Sequence, residues 1–499
     1  MIPTSQKVPR KVVVVGAGPV GCLAALSFAK EGWEVELYEA RPDLRESLSG
    51  NTQARRSVNL AISSRAIVAM ASVDPALATR VLEDGVPLRA RMIHDVRGGS
   101  ESQAYDPHGQ CINSIDRGLL NLKLLEEVLS SPGVRVFFLH KLLKSNFDTK
   151  LLTFAKDDEP NVDVYFDLCI GADGSYSAVR RDMMRFAKMN YEQEYITHEY
   201  VELRMPARTR TDGSPSYRLD PNHLHIWPRH SFMLIALPNK DYTFTCTLFA
   251  PAATLASLRT REETLAWFST HFPDAVAHIG EQNLLDDFEA NPKGSLICIK
   301  THPYHYKDSV ILLGDASHSM VPFYGQGLNC GLEDVRVLRN VLRNDKVDPL
   351  VERSGAYDAT LELALRQYST IRHDDLIAIC DMAMDNYVEM RHSVTTPTYR
   401  ILKAIDHFIS SWTRPVPLST LTAILSRVPF PRANPGGWLS LYTMVTFRPD
   451  IPYALARRRA QRQSGVLKIL GLSGVGLIAA GLVYSAKVVR AHRRFQGSL

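Results

Sequence analysis

Three short runs of this 499-residue chain place reactive or ligand-binding residue types at the ends of apolar strands. The first is Gly16-Ala17-Gly18-Pro19-Val20-Gly21, directly after the apolar run 12–15, with Glu39 closing the next apolar run. Strand, Gly-rich turn, helix, strand and acidic residue, in that order, are what a dinucleotide site requires. Gly16 permits the tight turn, Gly18 lets a pyrophosphate approach the backbone, and Gly21 lets the helix pack close to its strand. The helix start offers unpaired N–H groups and a partial positive charge to phosphates, and Glu39 is placed to take a ribose hydroxyl pair. The bland alternative is a Gly-rich helix cap.

The second run is Gly171-Ala172-Asp173-Gly174-Ser175, where Asp173 and Ser175 can cap a following helix. The third spans 314–329. Asp315, at a strand end, can accept from a ribityl hydroxyl, and Gly325 and Gly327 let the chain lie flat against an isoalloxazine ring. A helix starting at Gly327 would aim its positive end at that ring. A Gly-Asp pair alone means little, since a strand-end aspartate is most often a cap or turn. Together the three runs read as parts of one flavin site.

The elements that must position these runs follow from periodicity. Strand 11–15, helix 19–31 and strand 34–39 form the first unit, followed by helices up to residue 83. Strands are expected at 133–138 and, as one piece, at 162–170. Alternating segments at 198–205, 223–227, 231–237 and 242–249 predict an antiparallel sheet. An apolar strand at 309–313 returns to the first unit, and a long helix begins near 327. Residues 354–413 carry a helical pattern, and Pro-rich 416–452 reads as irregular. The fold class is α/β: a Rossmann-like FAD-binding domain (1–190, returning at 301–345), an antiparallel-sheet substrate domain (191–300), a C-terminal helical region closing the pocket (346–455) and a basic-flanked membrane anchor (456–499).

The anchor rests on residues 469–486, eighteen residues without a charge, just long enough to span a bilayer. The alternative is a buried Gly/Ala-rich helix. The nine Lys and Arg from Arg457 onward, with no Asp or Glu, leave the rest of the chain at −4 (5 − 9), which excludes a nucleic-acid-binding profile for the globular part. The seven cysteines form no CxxC pair and fit reduced thiols rather than a disulfide framework. Residues 1–10 hold no apolar signal core. No metal site is expected: His302 and His305 flank Pro303 and lack a third ligand. His318 is expected to order its loop.

The three motifs, in this order and spacing, resemble the single-component FAD-dependent aromatic hydroxylases. The intervening runs are similar to the members acting on L-kynurenine: Tyr38-Glu39-Ala40-Arg41, Arg56-Ser57-Val58-Asn59-Leu60-Ala61-Ile62-Ser63, Arg89-Ala90-Arg91-Met92-Ile93-His94, Leu224-His225-Ile226-Trp227-Pro228-Arg229, Phe244-Thr245-Cys246-Thr247-Leu248-Phe249 and Leu441-Tyr442-Thr443-Met444-Val445-Thr446-Phe447. The resemblance covers about 11–447 and extends to a similar C-terminal anchor. It implies FAD contacts at Val20, Tyr38, Glu39, Ala40, Arg41, Ala61, Arg117, Leu142, Asp315, Leu328 and Asn329. It also implies that Arg91 holds a substrate carboxylate beside the Tyr105 hydroxyl, and that Asn386 and Tyr442 complete the polar end. Pro322, Phe323 and residues 232–237 would wall the ring. The stretch 98–102 reads as loose and polar, so the register of Tyr105 is less defined than that of Arg91.

The implied reaction is hydroxylation of L-kynurenine to 3-hydroxy-L-kynurenine, on the route to NAD and quinolinate, by a flavin C4a-hydroperoxide formed from NADPH and dioxygen. The resemblance implies no obligatory acid or base, and Tyr324 is the one candidate proton partner. No second GxGxxG exists for NADPH, so it is expected to dock transiently, with the helix after Asp173-Gly174 contributing. The anchor implies the mitochondrial outer membrane, with the catalytic domain facing the cytosol. Two alternatives stay open: another FAD-dependent aromatic hydroxylase or epoxidase, and a non-enzymatic membrane adaptor that kept a flavin fold.

Overall fold

The computed structural model describes residues 7–49, 59–106, 109–156, 159–391, 405 and 438–467. A six-stranded sheet lies at its centre, in the order His305–Tyr306, Val310–Leu312, Leu168–Gly171, Lys11–Val15, Glu34–Tyr38, Val134–Phe137. All neighbours are parallel except the His305–Tyr306 edge. Strands covered on both faces need no polar side, which is why Val12 to Val15 is a continuous apolar run. The helix Pro19–Lys30 supplies the crossover between Lys11–Val15 and Glu34–Tyr38.

The Gly-rich turn explains its own composition. A Cβ on Gly21 would fall 1.9 Å from the Gly16 carbonyl oxygen. Gly16 has φ +102°, and a Cβ there would lie 2.5 Å from the Ala172 carbonyl oxygen. The first and second motifs therefore touch through backbone alone.

The second sheet has seven strands, ordered Gly294–His302, Asn190–Met205, Phe244–Pro251, Phe232–Pro238, His223–Arg229, Ala90–His94, Ser100–Ala104. Two of these strands come from inside the 1–190 segment. The stretch expected to be loose is ordered: Ser100–Ala104 pairs antiparallel with Ala90–His94, placing Arg91 opposite Gln103. Asp95 Oδ1 accepts from Arg97 N and Gly99 N and so builds the turn between them. The sheet is two-faced, as strand alternation dictates. Trp227, Leu234, Ala236 and Leu248 pack on the helices Arg261–His271, Pro273–Ile279 and Glu281–Ala290. Leu224, Ile226, Met233, Ile235 and Phe249 face the first domain and the long helix Ala359–Arg391.

Two further expectations change. The single strand at 162–170 is two, Glu159–Tyr165 in a small three-stranded sheet and Leu168–Gly171 in the central one. Asp167 marks the break, because its carboxylate accepts from Lys11 N and Gly355 N (2.7 and 2.6 Å) and turns the chain from one sheet to the other. The region read as irregular contains the helix Leu441–Thr446, whose start is capped by Ser440 Oγ accepting from Thr443 N at 3.1 Å. Residues 453–467 are also helical, and Arg457 pairs with Asp381 at 2.6 Å. The anchor expected at 469–486 lies outside the described residues. Among the described residues no helix is long and apolar enough to cross a membrane.

The Gly21 contact gives a direct check. Gly21→Ala forces the helix away from its turn, an overpacking cost of about 1–3 kcal/mol. Purified G21A is expected to carry roughly ten-fold less FAD per chain or more, read from visible against ultraviolet absorbance, together with a lower Tm. Wild-type FAD content would show that the turn tolerates the added methyl.

Candidate active site

The cofactor side is built where the ends of Lys11–Val15, Leu168–Gly171 and Val310–Leu312 meet. Gly18 has open space where its Cβ would be, with nothing within 4 Å. That opening lies at the start of the helix Pro19–Lys30, and it fits a pyrophosphate. Glu39 is buried; its Oε2 accepts from Ala17 N at 2.8 Å, and Oε1 accepts from the backbone N and Nε of Arg41. Burial opposes the charge, but Arg41 and the Ala17 N–H outweigh it and hold the carboxyl below the usual range. Oε2 keeps a second lone pair for a ribose hydroxyl. Ala40 and Arg41 are exposed at the same edge.

Asp173 spends its carboxylate locally. It accepts from Ser177 Oγ, Ala178 N and Val179 N and so caps the helix Ala178–Met183. Arg180, on that helix, donates to Ala316 O and Ser175 O, stitching the second motif to the third. The Asp315 carboxylate accepts no hydrogen bond from the described residues, and burial pushes its pKa up against the pull of Arg117 and His318. Arg117 opens the helix Arg117–Ser130 with its side chain exposed. An unpaired carboxylate beside an exposed guanidinium fits the ribityl hydroxyls and phosphates of a flavin dinucleotide.

Other cofactor-side residues act through the backbone or as latches. Asn329 is fully buried: Nδ2 donates to Ala61 O (2.8 Å) and Gly325 O (2.6 Å), and Oδ1 accepts from Ser63 N (2.8 Å). It clasps the strand Asn59–Ile62 to the loop before the helix Gly327–Asn344. Val20 packs against Gly314 and Gly331, and Leu328 is half-buried against the same core. Two of the expected contact residues turn their side chains into the core. The Tyr38 ring is stacked between Phe137 and Phe154 (4.7 and 4.1 Å), and Leu142 packs into that same cluster. Strand alternation turns Tyr38 away from the Glu39 side, so only its backbone, whose O accepts from Gly16 N at 2.8 Å, borders the Gly-rich turn.

The substrate side draws on five distant segments. The rings of Tyr105 and Tyr442 stack at 4.9 Å and 13°. Burial pushes both hydroxyls above their ordinary pKa, and the nearby Arg91 guanidinium pulls both back. The three groups therefore converge, although they are far apart in sequence. Arg91 Nε donates to Gln103 Oε1 at 3.0 Å across the sheet register. The buried Tyr105 hydroxyl faces the Tyr442 hydroxyl, the one side-chain partner it has among the described residues.

An apolar wall adjoins this polar end. Ile235, Leu237, Leu224, Ile112 and Phe447 surround the two tyrosines. Of the expected wall 232–237, only the odd positions face this way; Phe232 packs instead on Trp267 and Phe272. Phe323 is buried, stacked on Tyr387 at 4.0 Å and edge-on to Phe249 at 4.9 Å, whereas Pro322 is exposed. Tyr324 lies over Tyr442, centroids 6.3 Å apart. Asn386 donates to Phe323 O at 2.7 Å, so its amide N–H₂ holds the wall in place. Leu237 belongs to the expected wall, whereas Gln103 and Phe447 were not foreseen as site residues. The turn at Gly98-Gly99 was the available signal for Gln103, since it fixes the hairpin register.

His318 lies behind the Asp315 loop, its Nε2 2.5 Å from Asp334 Oδ2, consistent with a loop-ordering role. His318, Cys330 and Asp334 bring three ligand-type atoms within 4.8 Å of one another. Arg372 occupies that position, however, donating to Asp334 Oδ1 at 2.7 and 3.0 Å and reaching Cys330 Sγ at 3.3 Å. A guanidinium there repels a metal cation. His305 Nδ1 lies 2.7 Å from Ser369 Oγ.

Comparison with known proteins gives the family and the fold. The FAD binding domain family matches residues 10–344. Kynurenine 3-monooxygenase of Cryptococcus neoformans var. neoformans serotype D (strain B-3501A) is 47% identical, covering 97% of this chain and 99% of its own length. The Saccharomyces cerevisiae (strain S288c) protein of the same name is 40% identical over 94% and 96%. Among solved structures, the tetrameric form of 2-methyl-3-hydroxypyridine-5-carboxylic acid oxygenase superposes with TM-score 0.60 at 17% identity, over 78% of this chain and 95% of that one. PqsL of P. aeruginosa, in complex with 2-aminobenzoylacetate, gives 0.58 at 18%, over 77% and 97%. These two likenesses speak to the fold alone. On the family match and the near full-length identity, the chain belongs to the kynurenine 3-monooxygenase family of FAD-dependent monooxygenases.

Proposed function

We propose that this enzyme hydroxylates L-kynurenine to 3-hydroxy-L-kynurenine, consuming NADPH and dioxygen. The observation that carries the reading is the convergence of Arg91, Tyr105 and Tyr442 beside an apolar wall. L-kynurenine is an amino acid carried on an aromatic ring, and that combination asks for a cation and hydroxyl donors at one end and apolar surface at the other.

The chain's residues would divide the work as follows. Arg91 pairs with the substrate carboxylate, and its Nε bond to Gln103 fixes the guanidinium plane. Tyr105, stacked on Tyr442, offers its buried hydroxyl to the same end. Burial holds its pKa above the ordinary phenol value, which favours the protonated, donating form. Leu224, Ile235, Leu237 and Phe323 hold the ring and exclude water, a requirement for oxygen chemistry. Gly18, Glu39, Asp315, Arg117 and the Asp173-capped turn would hold FAD. Bound FAD supplies the redox chemistry, taking reducing equivalents from NADPH and activating dioxygen. The substrate's aniline nitrogen already enriches the ortho carbon in electrons, so no strong acid or base of the chain is needed. Tyr324, stacked over Tyr442, is the proton partner within reach of this region.

Membrane attachment through 469–486, with the catalytic part facing the cytosol from the mitochondrial outer membrane, remains part of the proposal. It is supported by the uncharged run and its basic flanks.

The function is tested by following NADPH oxidation and product mass with and without L-kynurenine. Stimulated oxidation with a product one oxygen heavier is expected; oxidation indifferent to L-kynurenine would overturn the substrate assignment. Arg91→Ala is expected to raise the L-kynurenine KM strongly while FAD stays bound. Losing a charge-assisted pair from a dry site costs about 2–5 kcal/mol. An unchanged KM would remove Arg91 from the site. Deleting residues 468–499, which spares the Arg457–Asp381 pair, should move the protein to the soluble fraction with FAD retained. Continued sedimentation with membranes would count against the anchor.

A further inference from the structure

Arg65 is 1% exposed, yet it takes no part in the cofactor or substrate contacts described above. It sits on the helix Ser64–Val73, immediately after the Ala61–Ser63 stretch that Asn329 clasps. Its guanidinium reaches across to the C-terminal segment. Nε donates to Val445 O at 2.6 Å, and Nη2 donates to Met444 O, Arg448 O and Ile451 O at 3.3, 3.3 and 2.6 Å. Nη1 donates to both oxygens of Glu333, at 2.9 and 3.1 Å. The guanidinium also lies 3.8 Å over the Tyr453 ring, and the Tyr453 hydroxyl donates to Gln326 Oε1 at 3.2 Å.

The recipients explain why an arginine is there. Leu441–Thr446 is a six-residue helix, and its last carbonyls have no partners within the helix. A planar cation with five donors satisfies several of them at once and complements the negative end of the helix. That helix carries Tyr442, and Gln326 directly precedes the helix Gly327–Asn344 that closes the flavin loop. A single buried side chain thus ties the tyrosine of the substrate pocket to the loop beside the cofactor.

We propose that Arg65 is a positioning residue for the substrate site: it sets Tyr442 against Tyr105 and Arg91 by gripping the end of the Leu441–Thr446 helix, and through Tyr453 and Gln326 it fixes that helix relative to the flavin loop. The kinetic side of the inference rests on the L-kynurenine reading. Glu333 keeps Arg372 and Arg336 as partners when Arg65 is changed, so the buried carboxylate is not stranded.

The test compares Arg65→Lys, Tyr442→Phe and the double variant. Arg65→Lys keeps the charge but loses the fork. The L-kynurenine KM is expected to rise about ten-fold, with FAD content and NADPH KM within about two-fold of wild type. The double variant is expected to be no worse than the poorer single variant, because a displaced Tyr442 has nothing left to lose. Multiplicative effects in the double variant, or a uniform fall in FAD content and both KM values, would overturn the proposal. Hydrogen exchange supplies a readout that needs no substrate. Amides of 441–453 should exchange faster in Arg65→Lys while those of 335–344 do not; equal protection in both segments would overturn the positioning role. If Arg65→Lys does not fold, Tyr453→Phe is measured the same way. A wild-type enzyme inactive on L-kynurenine would defeat the substrate reading and leave the exchange measurement decisive.

Discussion

The structure depends on one close approach: the Gly-rich turn meets the Ala172 turn backbone to backbone, and the loop at Gly314 closes on it across the single side chain of Val20. Gly16 abuts the Ala172 backbone, Gly21 abuts Gly16, and Val20 fills the space against Gly314 and Gly331. Because three strand ends converge there, the groups that could hold FAD come from positions as distant as Gly18, Glu39, Arg117 and Asp315. The cofactor's position, in turn, sets the reference for everything the second sheet must present.

The seven-stranded sheet divides its alternating residues between two tasks. One face packs on three short helices and supplies stability; the other presents Leu224, Ile235 and Leu237 to the substrate region. Arg91 belongs to a strand that joins this sheet from inside the first domain, running parallel to His223–Arg229. The polar end of the site is thus rooted in the sheet, while Tyr442 and Asn386 arrive from C-terminal helices. Beneath them lies a buried charged cluster of Arg65, Glu333, Arg372 and Asp334, with the His318 ring hydrogen-bonded to Asp334. Burial raises the carboxyls, but the neighbouring cations outweigh it and hold Glu333 and Asp334 ionised.

Much of this was legible in the amino-acid sequence because the constraints are local. Gly16, Gly18 and Gly21 announce a turn, Val12 to Val15 announces a buried parallel strand, and alternation announces the second sheet. Arg91, Tyr105 and Tyr442 were reached through resemblance, since nothing in their spacing shows that they converge. The illegible parts are those decided by tertiary partners. Asp167 ends a strand by accepting from Lys11 and Gly355 rather than by any turn composition of its own. Leu441–Thr446 is helical amid prolines because Ser440 caps one end and Arg65, 376 positions earlier (441 − 65), satisfies the other. Tyr38 came in as a cofactor contact through resemblance; the pleat turns its ring into a stack with Phe137 and Phe154 and leaves its backbone beside the Gly-rich turn.

The strand order of the central sheet has a consequence for how the chain is made. Lys11–Val15 pairs on one side with Leu168–Gly171, which in turn waits for Val310–Leu312. During synthesis the Leu168–Gly171 strand therefore emerges with one parallel edge open, and it stays open until more than a hundred further residues have left the ribosome. Such long-range parallel pairing is slow and exposes apolar edges to other chains. Five of the seven strands of the second sheet are encoded between those two strands, so most of that sheet leaves the ribosome before the central sheet can close.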